Sequence, residues 1–218
     1  MKKIILFFLL IATQVVNAQQ SPPYYNDIQQ FKKLDSAAFP AKNSILFIGS
    51  SSFTMWRDVQ EYFPGYQIVN RGFGGSTLLD QIRYVNDIVY PYQPRQIVIY
   101  CGENDLAASD SVDGKMVAER FIQLHKLIRA KYPKVQIAYV SMKPSPSRQL
   151  LLSKMRDGNS RIEEFLKKDK YASYIDVYNE MIDSDGKPVA DLFLDDNLHM
   201  NSKGYAIWKK AIAPHLKK

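Results

Sequence analysis

The stretch Ile45-Leu46-Phe47-Ile48-Gly49-Ser50-Ser51-Ser52 decides the fold. Its apolar run, without polar alternation, describes a strand covered on both faces, the habit of parallel sheets flanked by helices. Gly49 lets the chain turn sharply and leaves three hydroxyls where the strand's carboxyl end meets the next helix. In open α/β sheets that edge is where ligands bind. Taken alone, the serines read more readily as caps of the helix carrying Phe53 to Trp56.

Outward from this stretch, strand-like apolar runs alternate with helical periodicity, which predicts an α/β sheet. Strands are expected at residues 45–48, 66–69, 96–101, 135–140 and 174–177. Helices are expected at residues 27–37, 78–89, 115–131, 148–168 and 202–216. Pro91 and Pro94 stop the second helix, and Pro133 closes the third, where Val117, Phe121, Leu124 and Ile128 repeat on one face.

The N-terminus reads as a secretory signal peptide over residues 1–18: Lys2 and Lys3, an apolar core from Ile4 to Ala12, then Val16-Asn17-Ala18 at a cleavage-type site. That core is too short for a permanent membrane span, so the protein is expected to be exported, to the periplasm or beyond the cell. Residues 19–218 have the length of one domain. The single cysteine, Cys101, follows Ile97-Val98-Ile99-Tyr100 and reads as buried packing; alone it forms no internal disulfide. The excess of 29 Lys and Arg over 22 Asp and Glu is spread over helix faces, which argues against nucleic-acid binding. Three scattered histidines offer no metal-ligand cluster, and no cofactor is expected.

Each predicted strand ends in chemically pointed residues. They are Gly49-Ser50-Ser51, then Asn70-Arg71-Gly72-Phe73-Gly74-Gly75-Ser76, Gly102-Glu103-Asn104-Asp105 read as a tight turn, Met142-Lys143-Pro144-Ser145-Pro146, and Asp195-Asp196-Asn197-Leu198-His199 before the last helix. In a parallel sheet these ends share one edge. A hydroxyl, an imidazole, a carboxylate and donors for an oxyanion are the parts of an acyl-transfer site. His199 is the candidate base, because His125 and His215 read as surface positions. Asp196 stands three residues before it, within reach of one turn. Asn104 and the Gly75 N–H would stabilise a tetrahedral intermediate.

Four of these five segments, in order, resemble the SGNH hydrolases, also called the GDSL esterase and lipase family, across essentially all of residues 19–218. The matching blocks are Gly49-Ser50-Ser51, Gly72 to Gly75, Gly102-Glu103-Asn104-Asp105 and Asp196-Asn197-Leu198-His199. The resemblance implies a flavodoxin-like three-layer α/β/α sandwich with five parallel strands, similar to bacterial thioesterases and platelet-activating-factor acetylhydrolase subunits. It implies Ser51 as nucleophile, Asp196 and His199 as the rest of the triad, and an oxyanion hole of the Ser51 N–H, Gly75 and Asn104. The choice of Ser51 over Ser50 and Ser52 rests on the resemblance alone. Ser50 stands where the family usually has aspartate, which bears on how the turn is held.

The expected reaction is hydrolysis of small-molecule or carbohydrate esters through an acyl-enzyme. The connections are short, with no insertion to form a lid, and two prolines stiffen the loop after the fourth strand. Together with a polar lining from Ser50, Ser52, Glu103 and Lys143, this favours short acyl groups, acetyl first, on a carbohydrate. Lysophospholipase or thioesterase activity is the close rival. A glycan-binding module and a phosphate or nucleotide binder are the non-hydrolytic readings. Most of the fourteen tyrosines read as packing, and the Gly72 to Gly75 turn lacks the full dinucleotide or P-loop spacing.

Overall fold

The computed structural model describes residues 21–218, so the expected leader lies outside the described residues. Helix α1 (Tyr25–Ala37) precedes strand β1 (Ile45–Gly49), two short helices, α2 (Ser51–Thr54) and α3 (Val59–Tyr62), and strand β2 (Ile68–Gly72). Helices α4 (Leu78–Arg83) and α5 (Val85–Ile88), strand β3 (Gln96–Tyr100), helices α6 (Glu103–Ala108) and α7 (Gly114–Lys131), and strand β4 (Gln136–Val140) follow. A 3-10 turn (Pro146–Leu151), helix α8 (Leu152–Leu166), strand β5 (Ala172–Ile175) and helix α9 (Ser202–Ile212) complete the main elements.

The five strands pair in parallel in the order β2-β1-β3-β4-β5, which is the flavodoxin-like order. Alternate residues of each strand serve opposite faces. Leu46, Ile48, Ile97, Ile99, Ile137 and Tyr139 join a core with α1, α4, α5, α7 and α8. Ile45, Phe47, Val98, Tyr100, Ala138 and Val140 join a second core with α2, α3 and α9, where Trp56 and Trp208 are fully buried. Two apolar faces covered by helices make the expected three-layer α/β/α sandwich. The strand order reverses between β1 and β3, so their carboxyl ends open the crevice in which ligands of such sheets bind.

At the end of β1, Gly49 has φ +144, and a Cβ there would lie 1.9 Å from the Tyr100 carbonyl oxygen. Only glycine lets β1 stay paired with β3 while turning into α2.

Several boundaries differ from the sequence expectation. Strand β2 begins at Ile68 rather than 66 and runs on through Asn70 and Arg71. Arg71 enters the sheet because its guanidinium is satisfied: it pairs with Asp35, and its Nε donates to Tyr92 Oη at 2.8 Å. The expected helix at 78–89 is two pieces that meet at Tyr84, and the expected helix at 148–168 begins as a 3-10 turn. Residues 103–108 are a helix rather than a tight turn. His125 is buried, not a surface position: its Nε2 lies 2.9 Å from Asp169 Oδ2 and its ring packs edge-on to Phe165. Ser52 and Lys143 are likewise buried, at 3% and 1% exposure, and do not form an open polar lining. Among the described residues no helix is long and apolar enough to cross a membrane.

Candidate active site

The site grows from the ends of β1, β2 and β3 and the loop before α9. Ser50 occupies the N-cap position of α2 in an extended conformation without a side-chain cap hydrogen bond and is buried, whereas Ser51, at the first helical position, is half-buried. The Ser51 N–H is one of the orphan donors of a helix start and has no acceptor among the described residues. Gly72 to Gly75 folds against it. Phe73 N donates to the Gly49 carbonyl at 2.9 Å, and a Cβ placed on Gly74 would sit 3.9 Å from Ser51 Cβ. Gly75 has φ +81 and is exposed, and its N–H has no acceptor among the described residues. Two backbone donors, at the carboxyl ends of β1 and β2, are thus without an acceptor among the described residues.

Asn104 lies in the first turn of α6. Its Nδ2 donates to Ser50 Oγ at 2.7 Å and to the Ser76 carbonyl at 3.1 Å, while its Oδ1 accepts from Arg148 Nη2 at 2.7 Å. Ser50 thus holds the turn through its hydroxyl where the resembled family usually has a carboxylate. Asp105, the next residue, faces away: fully buried, it accepts from Leu78 N at 2.9 Å and from Arg120 Nη1 at 2.8 Å. Burial raises its carboxyl above the usual range despite these donors.

The last loop presents Asp196 and His199. Asp196 Oδ2 is 2.6 Å from His199 Nδ1, and Oδ1 accepts from the N–H groups of Leu198 and His199, both at 2.9 Å. The imidazole hydrogen bond and these backbone donors hold the carboxyl down at about 2. Because a carboxylate only accepts, the proton belongs on Nδ1 and Nε2 is left as a base. The loop is anchored by Leu194 N on the His199 carbonyl at 2.8 Å and by Ser147 N on the Asn197 carbonyl at 3.0 Å.

One narrow pocket is lined by Ser50, Ser51, Tyr100, Glu103, Asn104, Arg148 and Leu198, among others. Its cavity of about 10 Å³ has room for roughly one water. Beneath it, Glu103 Oε2 lies 3.2 Å from Lys143 Nζ and 3.6 Å from Arg148 Nη1, and Oε1 accepts from Tyr100 Oη. Burial pushes the Tyr100 phenol well up, so it remains a donor, and pushes the Lys143 ammonium down against the pull of Glu103. Cys101, whose thiol burial also raises, packs with Sγ 3.6 Å from the Ser76 carbonyl.

The structure brings Ser51, Gly75, Asn104 and the Asp196–His199 pair to one sheet edge. Among the described residues no hydrogen bond joins Ser51 to His199, and Asn104 Nδ2 is engaged by Ser50 and Ser76 rather than by Ser51. Sequence reasoning missed Arg148, whose contact with Asn104 spans 44 residues. Nothing local to a helical, polar stretch signals such a pairing. No group of three or more His, Cys, Asp or Glu among the described residues is placed to hold a metal ion.

A family model described as GDSL-like Lipase/Acylhydrolase matches residues 45–207. No curated protein matches the chain in sequence. Among solved structures, a GDSL-like lipase from Bacteroides thetaiotaomicron is 20% identical, with a TM-score of 0.75 over 86% of this chain and 96% of its own. A lipase/acylhydrolase from Enterococcus faecalis is 17% identical, with a TM-score of 0.61 over 80% of this chain and 97% of its own. A variant of an acetyl-xylooligosaccharide esterase from Geobacillus is 14% identical, with a TM-score of 0.64 over 80% of this chain and 94% of its own. At these identities the likeness is one of fold.

Proposed function

We propose, for a chain that belongs to the GDSL-like Lipase/Acylhydrolase family, that its esterase or acylhydrolase activity runs through Ser51 as a covalent nucleophile. The observation that carries this reading is the Asp196–His199 pair, 2.6 Å apart, on the same sheet edge as Ser51 and Asn104. The Ser51 Oγ–H gives its proton to His199 Nε2 as Oγ bonds to the ester carbonyl carbon. The Ser51 and Gly75 N–H groups receive the oxyanion, joined by Asn104 Nδ2 as it turns from Ser50 Oγ. Collapse breaks the bond to the alkoxy oxygen, which leaves as the alcohol with the proton from His199. A water deprotonated by His199 then hydrolyses the acyl-enzyme.

For the substrate we favour short acyl esters, acetyl first, on a carbohydrate alcohol. The narrow pocket beside Ser51 supports a small acyl group, and the Geobacillus neighbour of the same fold acts on acetylated xylooligosaccharides. Lysophospholipid or thioester cleavage is the second reading. It is favoured by Leu150, 95% exposed and two residues from the pocket-lining Arg148. An aryl-ester series of increasing acyl length, run beside acetylated oligosaccharides and a lysophospholipid, separates the two. We expect the highest kcat/KM at acetyl and acetate release from the sugars. A rate that climbs to long acyl chains while the acetylated sugars stay intact would contradict the carbohydrate reading and leave the Ser51 chemistry in place.

A further inference from the structure

We infer that Arg148 is a positioning residue for Asn104, and that Glu103 is the brace that holds the Arg148 guanidinium in place. The inference rests on the reading of Asn104 as an oxyanion donor. A side-chain amide can sit two ways round, and only one presents its NH₂ to the reacting carbonyl. Arg148 fixes the choice from the oxygen end, as the Ser76 carbonyl, 3.1 Å from Nδ2, does from the nitrogen end: a guanidinium has donors and no acceptor, so its Nη2, 2.7 Å from Asn104, must face the amide oxygen. Nδ2 is thereby turned to the Ser50 side of the pocket, where it donates to Ser50 Oγ at 2.7 Å. Donation into the amide oxygen also polarises Nδ2–H and strengthens it as a donor.

The guanidinium is itself fixed from the other side. Its Nη1 is buried, has no hydrogen-bond partner among the described residues, and lies 3.6 Å from Glu103 Oε2, close enough for a strong charge interaction. Glu103 is anchored in turn by Tyr100 Oη and by Lys143, which is 1% exposed with its Nζ also 5.6 Å from the centre of the Phe193 ring. Tyr100 ends β3, Glu103 and Asn104 lie in the first turn of α6, Lys143 follows β4, and Arg148 sits in the 3-10 turn, so elements far apart in sequence converge to set one amide. Glu103 and Lys143 are poor places to probe this, because removing either strands a buried charge. Arg148 is the accessible member, with a side chain 15% exposed.

The test is a double-mutant cycle in steady-state ester hydrolysis on wild type, Arg148→Met, Asn104→Ala and the double variant. Methionine keeps the stem and removes the fork. We expect Arg148→Met to lower kcat by ~10- to 10²-fold with KM moving less than about threefold, and to cost less than about threefold once Asn104 is alanine. Arg148→Lys, which keeps a cationic donor, is expected to recover part of the loss, and added guanidinium to restore turnover in Arg148→Met only while Asn104 is present. If Arg148→Met does not fold, Arg148→Lys enters the same cycle and is held to the same non-additivity. An Arg148 effect of equal size with and without Asn104 overturns the positioning role and leaves Asn104 as a donor. An Asn104→Ala enzyme of unchanged kcat instead overturns the oxyanion reading and the inference with it.

Discussion

The Asp196–His199 pair is where residue chemistry is most exposed to test. Asp196 is held at about 2 by the imidazole and by two backbone N–H groups, so it is a carboxylate throughout the neutral and mildly acid range. Its folded value is depressed; the stability it lends is therefore complete above the ordinary carboxylate range and is lost only as pH falls through about 2. Its side chain is 47% exposed, so solvent screening keeps that contribution small. On the proposed mechanism its effect is expected in turnover instead. In Asp196→Asn an amide NH₂ facing Nδ1 favours the wrong tautomer, and kcat is expected to drop by ~10²-fold or more with the melting temperature little changed. An Asp196→Asn enzyme with wild-type kcat would take Asp196 out of the triad. The Asp196–His199 pairing could be suggested from sequence because the two stand three positions apart, whereas Ser51 was preferred to Ser50 and Ser52 on the family resemblance alone. Arg148 and the hydrogen bond from Asn104 to Ser50 were not legible in sequence, since both are contacts between segments that only the fold brings together.

At the scale of elements, what delivers His199 is the loop between the 3-10 residues Ala190–Leu192 and α9. Asn201 governs both of its ends. Its side-chain oxygen caps α9 by accepting from Lys203 N at 2.9 Å and Gly204 N at 3.3 Å, while its Nδ2 donates to the carbonyls of Asp191 at 2.8 Å and Phe193 at 3.1 Å. Asn201→Ala is expected to cost about 1–2 kcal/mol in urea unfolding, the usual worth of a cap, and to lower kcat as well. Asp113 caps α7 through Met116 N at 2.8 Å and supports no site residue, so Asp113→Ala should cost stability at unchanged kcat. Equal kcat in the two variants would mean that the loop needs no anchor. The elements whose bounds were read to within a residue were those with apolar runs or a clear apolar periodicity, β1, β3, β4 and α7. β2 was ended too early because Asn70 and Arg71 read as part of the glycine-rich turn that follows, until Asp35 and Tyr92 are seen to satisfy Arg71 within the sheet. α6 read as a turn because Gly102, Asn104 and Asp105 are turn residues, and the partners that stabilise Glu103 and Asp105 inside a helix come from β3, the loop after β4, α4 and α7.

At the scale of the molecule, the two edges of the sheet do different work. The edge opposite the pocket, where β4 and β5 begin, is tied by His125, Arg129 and Asp169: Arg129 Nε donates to Asp169 at 2.8 Å, and its other nitrogens reach the carbonyls of Val135 at 2.5 Å and Tyr171 at 3.0 Å. Burial, and then the Arg129 charge, lower the His125 pKa. Burial opposes ionisation of Asp169, but the Tyr171 N–H and Arg129 outweigh it and hold that carboxyl low. A histidine whose folded pKa is depressed binds protons more readily when unfolded, so its contribution is complete above the unfolded value of ~6.5 and is lost as pH falls toward the folded one. Wild type should therefore lose melting temperature from about pH 6.5 downward, and His125→Gln should flatten that slope without changing ester turnover at neutral pH. Identical slopes would remove His125 from the pH response. The edge that carries Ser51, Asn104 and His199 holds the central claim, a covalent serine mechanism at the end of β1. Its most direct measurement is labelling of the folded protein with a fluorophosphonate followed by peptide mapping. The account predicts one phosphonyl group on Ser51, absent from Ser51→Ala and strongly slowed in His199→Ala. Label on Ser50 or Ser52, or no label on folded, ester-hydrolysing protein, would contradict it.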